Sequence, residues 1–245
     1  MAKNLFASCA KYYDFLVSKE DVKKELKFIY KVFNEFRIKT VLDLGCGTGL
    51  YLVPLKNKGF EAEGLDLSKK MIKEARKKNK NIIIHHKDMS KFSINKKYDA
   101  IICLSSSLLI LPNFKTIEKT LKRAYEHLNS EGILLLDLPN HSKEIKECNN
   151  VTSHTTQKFS KGRLDSTFIS YTKGKRWVEE WHGIVKEGNR TSKFKDIWEE
   201  LIYSQKKLES SLKRTGFKIL RIYGTMDGAR FDKNKSYRKV YLCTK

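Results

Sequence analysis

The run Val41-Leu42-Asp43-Leu44-Gly45-Cys46-Gly47-Thr48-Gly49-Leu50 decides how the rest of the chain reads. Residues 41–44 are apolar and β-prone, and they stop at three glycines spaced at every second position. Leu50 then opens an apolar-periodic segment through Leu52, Val53 and Leu55. A strand, a glycine turn and a helix form the layout of a nucleotide-binding βα unit. Gly45 and Gly47 carry no side chain, so the backbone can turn sharply and approach a ligand closely. The spacing is G-x-G-x-G, which disfavours the dinucleotide pattern G-x-G-x-x-G. Gly64-Leu65-Asp66 closes the next expected strand, with Asp66 21 residues after Gly45. A carboxylate at that tip can accept hydrogen bonds from both ribose hydroxyls, or it is a solvated turn residue.

Outward from this unit, helices and strands alternate. Val22, Leu26, Ile29, Val32, Phe33 and Phe36 recur at helical spacing over 20–36. Residues 50–58 read as a short helix and 60–66 as the second strand. Ser68 is a good N-cap for a helix carrying Met71, Ile72 and Ala75. Strands follow at 82–84 and 98–104, a helix at 114–128 and a strand at 132–137. The 98–104 strand is almost wholly apolar, as a strand covered on both faces should be. Such alternation implies a parallel, doubly wound sheet. Ligands bind outside the carboxyl ends of its strands, and Gly45, Asp66, Asp88 and Ser105 all fall at those ends.

From residue 141 the pattern changes. Segments 166–171, 176–185 and 193–203 alternate like strands of an antiparallel insert. Ser204 then caps a helix ending at Gly216, and 217–223 and 236–243 supply the last two strands of the main sheet. The expected architecture is α/β. Residues 1–140 and 204–245 form a Rossmann-like mixed sheet, parallel with one antiparallel edge strand, and residues 141–203 form an antiparallel β lid.

The Asp43-Leu44-Gly45-Cys46-Gly47-Thr48-Gly49 core, Asp66 and the run Lys87-Asp88-Met89 resemble the class I S-adenosylmethionine-dependent methyltransferases over residues 10–140. The resemblance implies S-adenosyl-L-methionine as cofactor and S-adenosyl-L-homocysteine as product. It implies that Gly45, Gly47 and Gly49, with Cys46 and Thr48, admit the methionine end. Asp43 orients the turn or reaches the cofactor's amino group, and Asp66 takes the ribose hydroxyls. Asp88 binds the adenine amino group, with Met89 against the ring, or it caps the Ser90 turn. Leu104 and Ser105 line the floor, and Leu67 and Met71 complete the implied cofactor set. Lys11-Tyr12-Tyr13-Asp14-Phe15, Ser105-Ser106-Ser107 and the late insert resemble amino-sugar N,N-dimethyltransferases and glycine N-methyltransferase-like enzymes. Tyr13 then faces the sulfonium or the acceptor, since aromatic faces attract cations; the alternative for this aromatic cluster is core packing.

Substrate selection falls to the insert, where Arg163, Tyr171, Trp177, Trp181 and His182 are the candidates. By period two, Trp177, Glu179 and Trp181 share one face, and Arg176, Glu180 and His182 the other. A glutamate between two tryptophans points to a cleft; the competing reading packs both tryptophans in the core. His182 is the candidate base.

Composition bounds these expectations. The 245 residues carry a net charge of +22, but lysine outnumbers arginine 40 to 10 and is spread along the whole chain. Nucleic-acid sites favour arginine for bidentate contacts, so a small-molecule acceptor is expected ahead of RNA, in a monomer or homodimer. A non-catalytic, cofactor-binding regulator is the third reading. No apolar run reaches the length of a membrane span. Five dispersed cysteines suit reduced thiols in the cytoplasm. The sequence thus points to a methyltransferase acting on an N or O atom of a small polar molecule.

Overall fold

Strand periodicity in the first half of the chain becomes a sheet fed from both faces. The computed structural model describes residues 6–245. A 3-10 helix (Ala10–Leu16) precedes α1 (Lys19–Glu35), which starts at Ser18, whose hydroxyl accepts from the Asp21 amide. β1 (Thr40–Leu44) runs into the glycine turn and α2 (Leu52–Asn57). β2 (Glu61–Asp66) is followed by α3 (Lys69–Lys78), capped by Ser68, then β3 (Ile83–His86) and β4 (Tyr98–Cys103). α4 (Phe114–His127), β5 (Leu128–Pro139) and α5 (His141–Cys148) come next. Four long strands form the insert: β6 (Val151–Phe159), β7 (Gly162–Lys173), β8 (Arg176–Glu187) and β9 (Arg190–Leu201). α6 (Gln205–Thr215), β10 (Lys218–Tyr223) and β11 (Arg238–Thr244) complete the main sheet.

The seven-stranded sheet has the order β10-β11-β5-β4-β1-β2-β3. Successive residues of its central strands feed opposite cores. Val41, Ala100 and Ile102 pack with α1, α2 and α3, whereas Leu42, Leu44, Ile101 and Cys103 pack with α4 and α6. That two-sided burial is why these strands are apolar throughout. One antiparallel strand is present, as expected, but its place is corrected. β11 pairs antiparallel with both β5 and β10, so it lies one position inside the edge. The chain leaves β5, returns through the insert and α6 to a β10 set one strand-width out, and β11 fills the gap.

The insert is a separate four-stranded antiparallel sheet, β6-β7-β8-β9. Two of its elements, β6 and α5, escaped the sequence pattern. β6 is nearly all exposed and has no buried face to impose alternation. α5 is only eight residues long. Ser204 occupies the N-cap position of α6, yet its hydroxyl makes no capping bond. One face of the sheet packs Leu164, Trp181, Val185 and Trp198 against Cys9 and Tyr12 of the N-terminal segment. Gly183 is bare because a Cβ there would lie 2.1 Å from the Phe194 ring. Among the described residues, no helix is long and apolar enough to cross a membrane, and none of the five cysteines is in a disulfide.

The core assignment of Trp181 has a direct test. It is fully buried, and its indole donates to Ser166 Oγ at 3.0 Å. Trp181→Ala is expected to cost ~3–5 kcal/mol, read as a lowered urea midpoint, with Trp181→Phe losing much less.

Candidate functional site

The glycine turn is fixed from behind and open in front. The amides of Gly45 and Cys46 both donate to Leu65 O, at 2.7 and 3.1 Å, which ties the turn to β2. Gly45 has φ +76° and Gly47 φ +51°, conformations that strain any residue with a side chain. A Cβ on Gly45 would lie 2.8 Å from Ser107 Cβ, so the loop after β4 closes directly on the turn. Asp66 Oδ2 accepts from the Gly47 amide at 2.8 Å, and Oδ1 accepts from the Ser68 amide at 2.7 Å. The carboxylate therefore organises the turn as well as facing the space before it. Burial raises its pKa, and these backbone donors oppose the shift.

In front of the turn lies a cavity of about 630 Å³ at the carboxyl ends of the strands. Of the residues singled out from sequence, Tyr13, Gly45, Gly47, Asp66, Leu67, Met71, Asp88, Met89 and Ser105 border it. Asp88 Oδ1 accepts from both the amide and the hydroxyl of Ser90, at 2.8 and 2.7 Å. Its other oxygen makes no hydrogen bond to the described residues. Tyr13 packs edge-on against Phe6, and burial pushes its phenol up, so it stays protonated. Ser105 and Ser106 both hold positive φ, at +49° and +61°, a strained pair of the kind that clusters at functional sites. The Ser105 amide donates to Asp137 Oδ2 at 3.0 Å and the Ser106 amide to Asp137 O at 3.1 Å.

The remaining cofactor candidates stand behind the cavity wall and build it. Asp43 is buried beneath the turn, and its carboxyl is pushed up to about 8 by burial and by Asp66. Cys46 turns its thiol inward, where a Cβ on Gly64 would lie 2.6 Å from Sγ. Thr48 Oγ1 donates to Asp14, which also pairs with Lys78, so the 3-10 helix is anchored to the glycine turn and α3. Gly49 brings the turn against Val53 and Ala75, and Leu104 packs in the apolar core.

The insert candidates need a larger correction. His182 lies on the outer face, 3.0 Å from Glu180 Oε2. Tyr171 donates to Glu180 Oε1 at 3.0 Å, and Arg163 Nε to Asp165 Oδ2 at 3.1 Å. None of these three borders the cavity, and Trp181 is core. The alternation placed Trp177, Glu179 and Trp181 together correctly; the error was to choose His182, rather than Arg176, from the opposite face. Arg176, not assigned a role from sequence, reaches over to donate to the carbonyls of Leu111 and Pro112 and borders the cavity.

Sequence reasoning missed a buried polar cluster where the inner face of the insert meets α5 and β11. Trp177 pairs across strands with Glu200, and Glu179 with Trp198. His141 Nε2 lies 3.6 Å from Glu200 Oε2 and 4.0 Å from Glu144 Oε2. Arg238 donates through Nε to Asp137 Oδ1 at 2.8 Å. Burial raises the carboxyls of Glu144, Glu179 and Glu200 to about 7 each. Burial also lowers His141 to about 4, so its ring is neutral near neutrality. A visible signal existed: Asp196, Trp198 and Glu200 share the phase of Phe194, as Glu179 shares that of its tryptophans.

Residues 41–132 match the family model described as a methyltransferase domain. The chain is 33% identical over 98 residues to dTDP-3-amino-3,6-dideoxy-alpha-D-glucopyranose N,N-dimethyltransferase of Streptomyces fradiae, covering 40% of this chain and 38% of that one. It is 32% identical over 129 residues to a glycine/sarcosine N-methyltransferase of Aphanothece halophytica, covering 50% of this chain and 49% of that one. The chain thus spans 38% and 49% of the length of these two relatives. Among solved structures it superposes on Streptomyces venezuelae DesVI with a TM-score of 0.83 at 21% identity, covering 96% of this chain and 97% of that one. An S-adenosylmethionine-dependent methyltransferase from Clostridium acetobutylicum gives a TM-score of 0.83 at 23% identity, covering 96% and 95%. Both establish a shared fold.

The raised carboxyls set a pH dependence. A carboxyl at about 7 in the fold and 4.5 in the free chain binds protons more tightly when folded. Its contribution to stability therefore falls as pH rises from 4.5 to about 7 and is constant above that. Glu200→Gln cannot ionise, so its melting temperature is expected to exceed the wild type's in mildly alkaline buffer and to converge with it in acid. Parallel curves across that range would remove Glu200 from the raised set.

Proposed function

We propose that the chain is a class I S-adenosylmethionine-dependent methyltransferase and that it moves a methyl group to a nitrogen or oxygen atom of a small polar acceptor. The observation that carries this reading is the single cavity bordered by the bare Gly45–Gly47 backbone, Asp66 and Asp88, and shared with the insert through Arg176, Ile197 and Glu199. Its volume of about 630 Å³ lies in the range of small-molecule sites.

The residues present fit the cofactor. The nearest described atom to a Cβ built on Gly47 is Met71 Cε at 3.9 Å, so backbone is offered to a ligand there. Asp66 keeps lone pairs beyond the two it gives to amides, and these suit ribose hydroxyls. The unbonded oxygen of Asp88 suits an adenine amino group, with Met89 and Leu67 as apolar surface. When bound, the cofactor supplies an electrophilic methyl group on a sulfonium. The chain's own contribution is alignment, which alone can be worth ~7–11 kcal/mol. Tyr13 offers an aromatic surface to positive charge and a phenol that donates. The 3-10 helix bearing it and the insert strands beside it exclude water from the reacting atoms.

An RNA acceptor is favoured by one observation: Lys87, Lys91, Lys119 and Arg176 border the same cavity. Yet Arg176 already spends donors on the carbonyls of Leu111 and Pro112, and the rest are lysines. A steep salt dependence of RNA retention would promote that reading.

Calorimetry with S-adenosylmethionine and NAD is the first test; binding of NAD alone would overturn the proposal. Asp66→Ala is expected to raise the cofactor dissociation constant at least ~tenfold, since bonds to a charged group contribute ~1.5–3 kcal/mol each. It is also expected to lower the melting temperature, because the Gly47 and Ser68 amides lose their acceptor. Wild-type affinity in that variant would leave Asp66 as a turn residue only.

A further inference from the structure

The polar cluster under the insert is not explained by the cofactor cavity. Glu144 comes from α5, Glu179 from β8 and Glu200 from β9. Arg238, the buried cation beside them, is engaged by Asp137 through both Nε and Nη2. Lys239 is directed instead toward the rings of Tyr203 and Phe231. Glu179 has no Lys or Arg nitrogen within 4 Å among the described residues, and the same holds for Glu144 and Glu200, whose close basic neighbour is the neutral His141. A buried carboxylate without a cation carries a large desolvation cost.

Two further buried groups of the cluster are unpaired. Trp177 is 1% exposed and its Nε1 has no hydrogen-bond partner; His141 is 3% exposed and neither ring nitrogen has one. Buried polar groups in folded proteins are normally paired, so unpaired ones mark a missing partner. Across the strands Trp198 pairs with Glu179 and Trp177 with Glu200. Buried carboxylates with no cation of their own are surroundings that favour one. The cluster adjoins the cofactor cavity at two places. Tyr13 borders that cavity and senses both Asp66 and Glu200. Ser105 borders it too, and its neighbour Ser106 contacts Glu200.

We propose that this cluster is the acceptor-binding site and that it takes a small amine in its ammonium form, held between Glu179 and Glu200 with Trp177 and His141 against it. The proposal rests on the methyltransferase reading and narrows its acceptor to nitrogen. The ammonium passes one proton to a carboxylate of the cluster, whose burial has brought it near the pH at which an exchange with an amine is effective. The neutral amine then forms a bond from its lone pair to the methyl carbon as the carbon–sulfur bond breaks, its electron pair remaining on sulfur. The product is a methylated ammonium, and the proton on the carboxyl returns to solvent.

The test measures melting temperature in mildly alkaline buffer with three ammonium ions, methylammonium, ethanolamine and glucosamine. Each is set against its hydroxyl counterpart, methanol, ethylene glycol and glucose, at equal concentration and ionic strength. A ligand of the folded state raises the melting temperature with concentration. The expected result is a concentration-dependent rise with at least one ammonium ion and none with its counterpart. That rise is lost in Glu179→Gln and in Glu200→Gln, and kept in the outer-face control Glu180→Gln. Equal effects of amine and alcohol, or a rise unchanged in both cluster variants, would overturn the proposal. So would a methyl-labelled product, isolated after incubation with a metabolite extract, that contains no amine. Calorimetry on the same variants keeps the two readings apart. If S-adenosylmethionine fails to bind the wild type while the ammonium effect stands, the methyltransferase reading falls and the cation site remains.

Discussion

The ion pair between Asp137 and Arg238 fixes the end of three strands at once. Asp137 lies two residues before the end of β5, Arg238 starts β11, and the Ser105 amide just after β4 donates to the same carboxylate. Arg238 also reaches Ser106 Oγ at 3.3 Å. Ser105 and Ser106 sit in left-handed conformations that only over-determined surroundings can hold. The pair supplies that restraint. It sets the wall of the cofactor cavity on one side and borders the acidic cluster on the other. Losing one member would leave a buried charge uncompensated, a far larger cost than the pair itself contributes.

The main sheet was legible because it is buried on both faces. Two-sided burial makes strands apolar, and the 3.6-residue stripe of α1, α3 and α4 marks their covers. The glycine turn was legible for a different reason: positive φ and the close approach of Ser107 restrict Gly45 to glycine. What stayed hidden depends on contacts distant in sequence. Nothing local says that Asp43 and Leu104 lie behind a wall while Ser105 lies in it. Period two placed Trp177, Glu179 and Trp181 on one face, but it cannot say what that face meets. On the opposite face Glu180 pairs with His182 and Lys195, whereas Arg176 and Glu199 border the cavity.

The high positive charge divides in the same way. Lysines such as Lys23, Lys24 and Lys77 pair with acids one helical turn away, in contacts that contribute little. Lys87, Lys91, Lys119 and Arg176 share a cavity rim, where their combined potential bears on whatever enters. A surface rich in diffuse cations therefore encloses a buried cluster of carboxylates. An acceptor bearing both an anionic part and an amine would meet the two in succession.

The 3-10 helix has a consequence for how the molecule comes together. The Cys9 amide donates to Asp196 at 2.6 Å across 187 positions of chain, and Lys11 pairs with Glu187. On its other side Asp14 holds Thr48 and Lys78. During synthesis the glycine turn and its neighbouring strands are available long before β9 exists. The segment carrying Tyr13 can settle on the glycine turn and α3, but its second anchorage must wait for Glu187 and Asp196, far along the chain. Closing so long a loop is slow. The front of the pocket is thus held by contacts 176 and 187 positions apart along the chain.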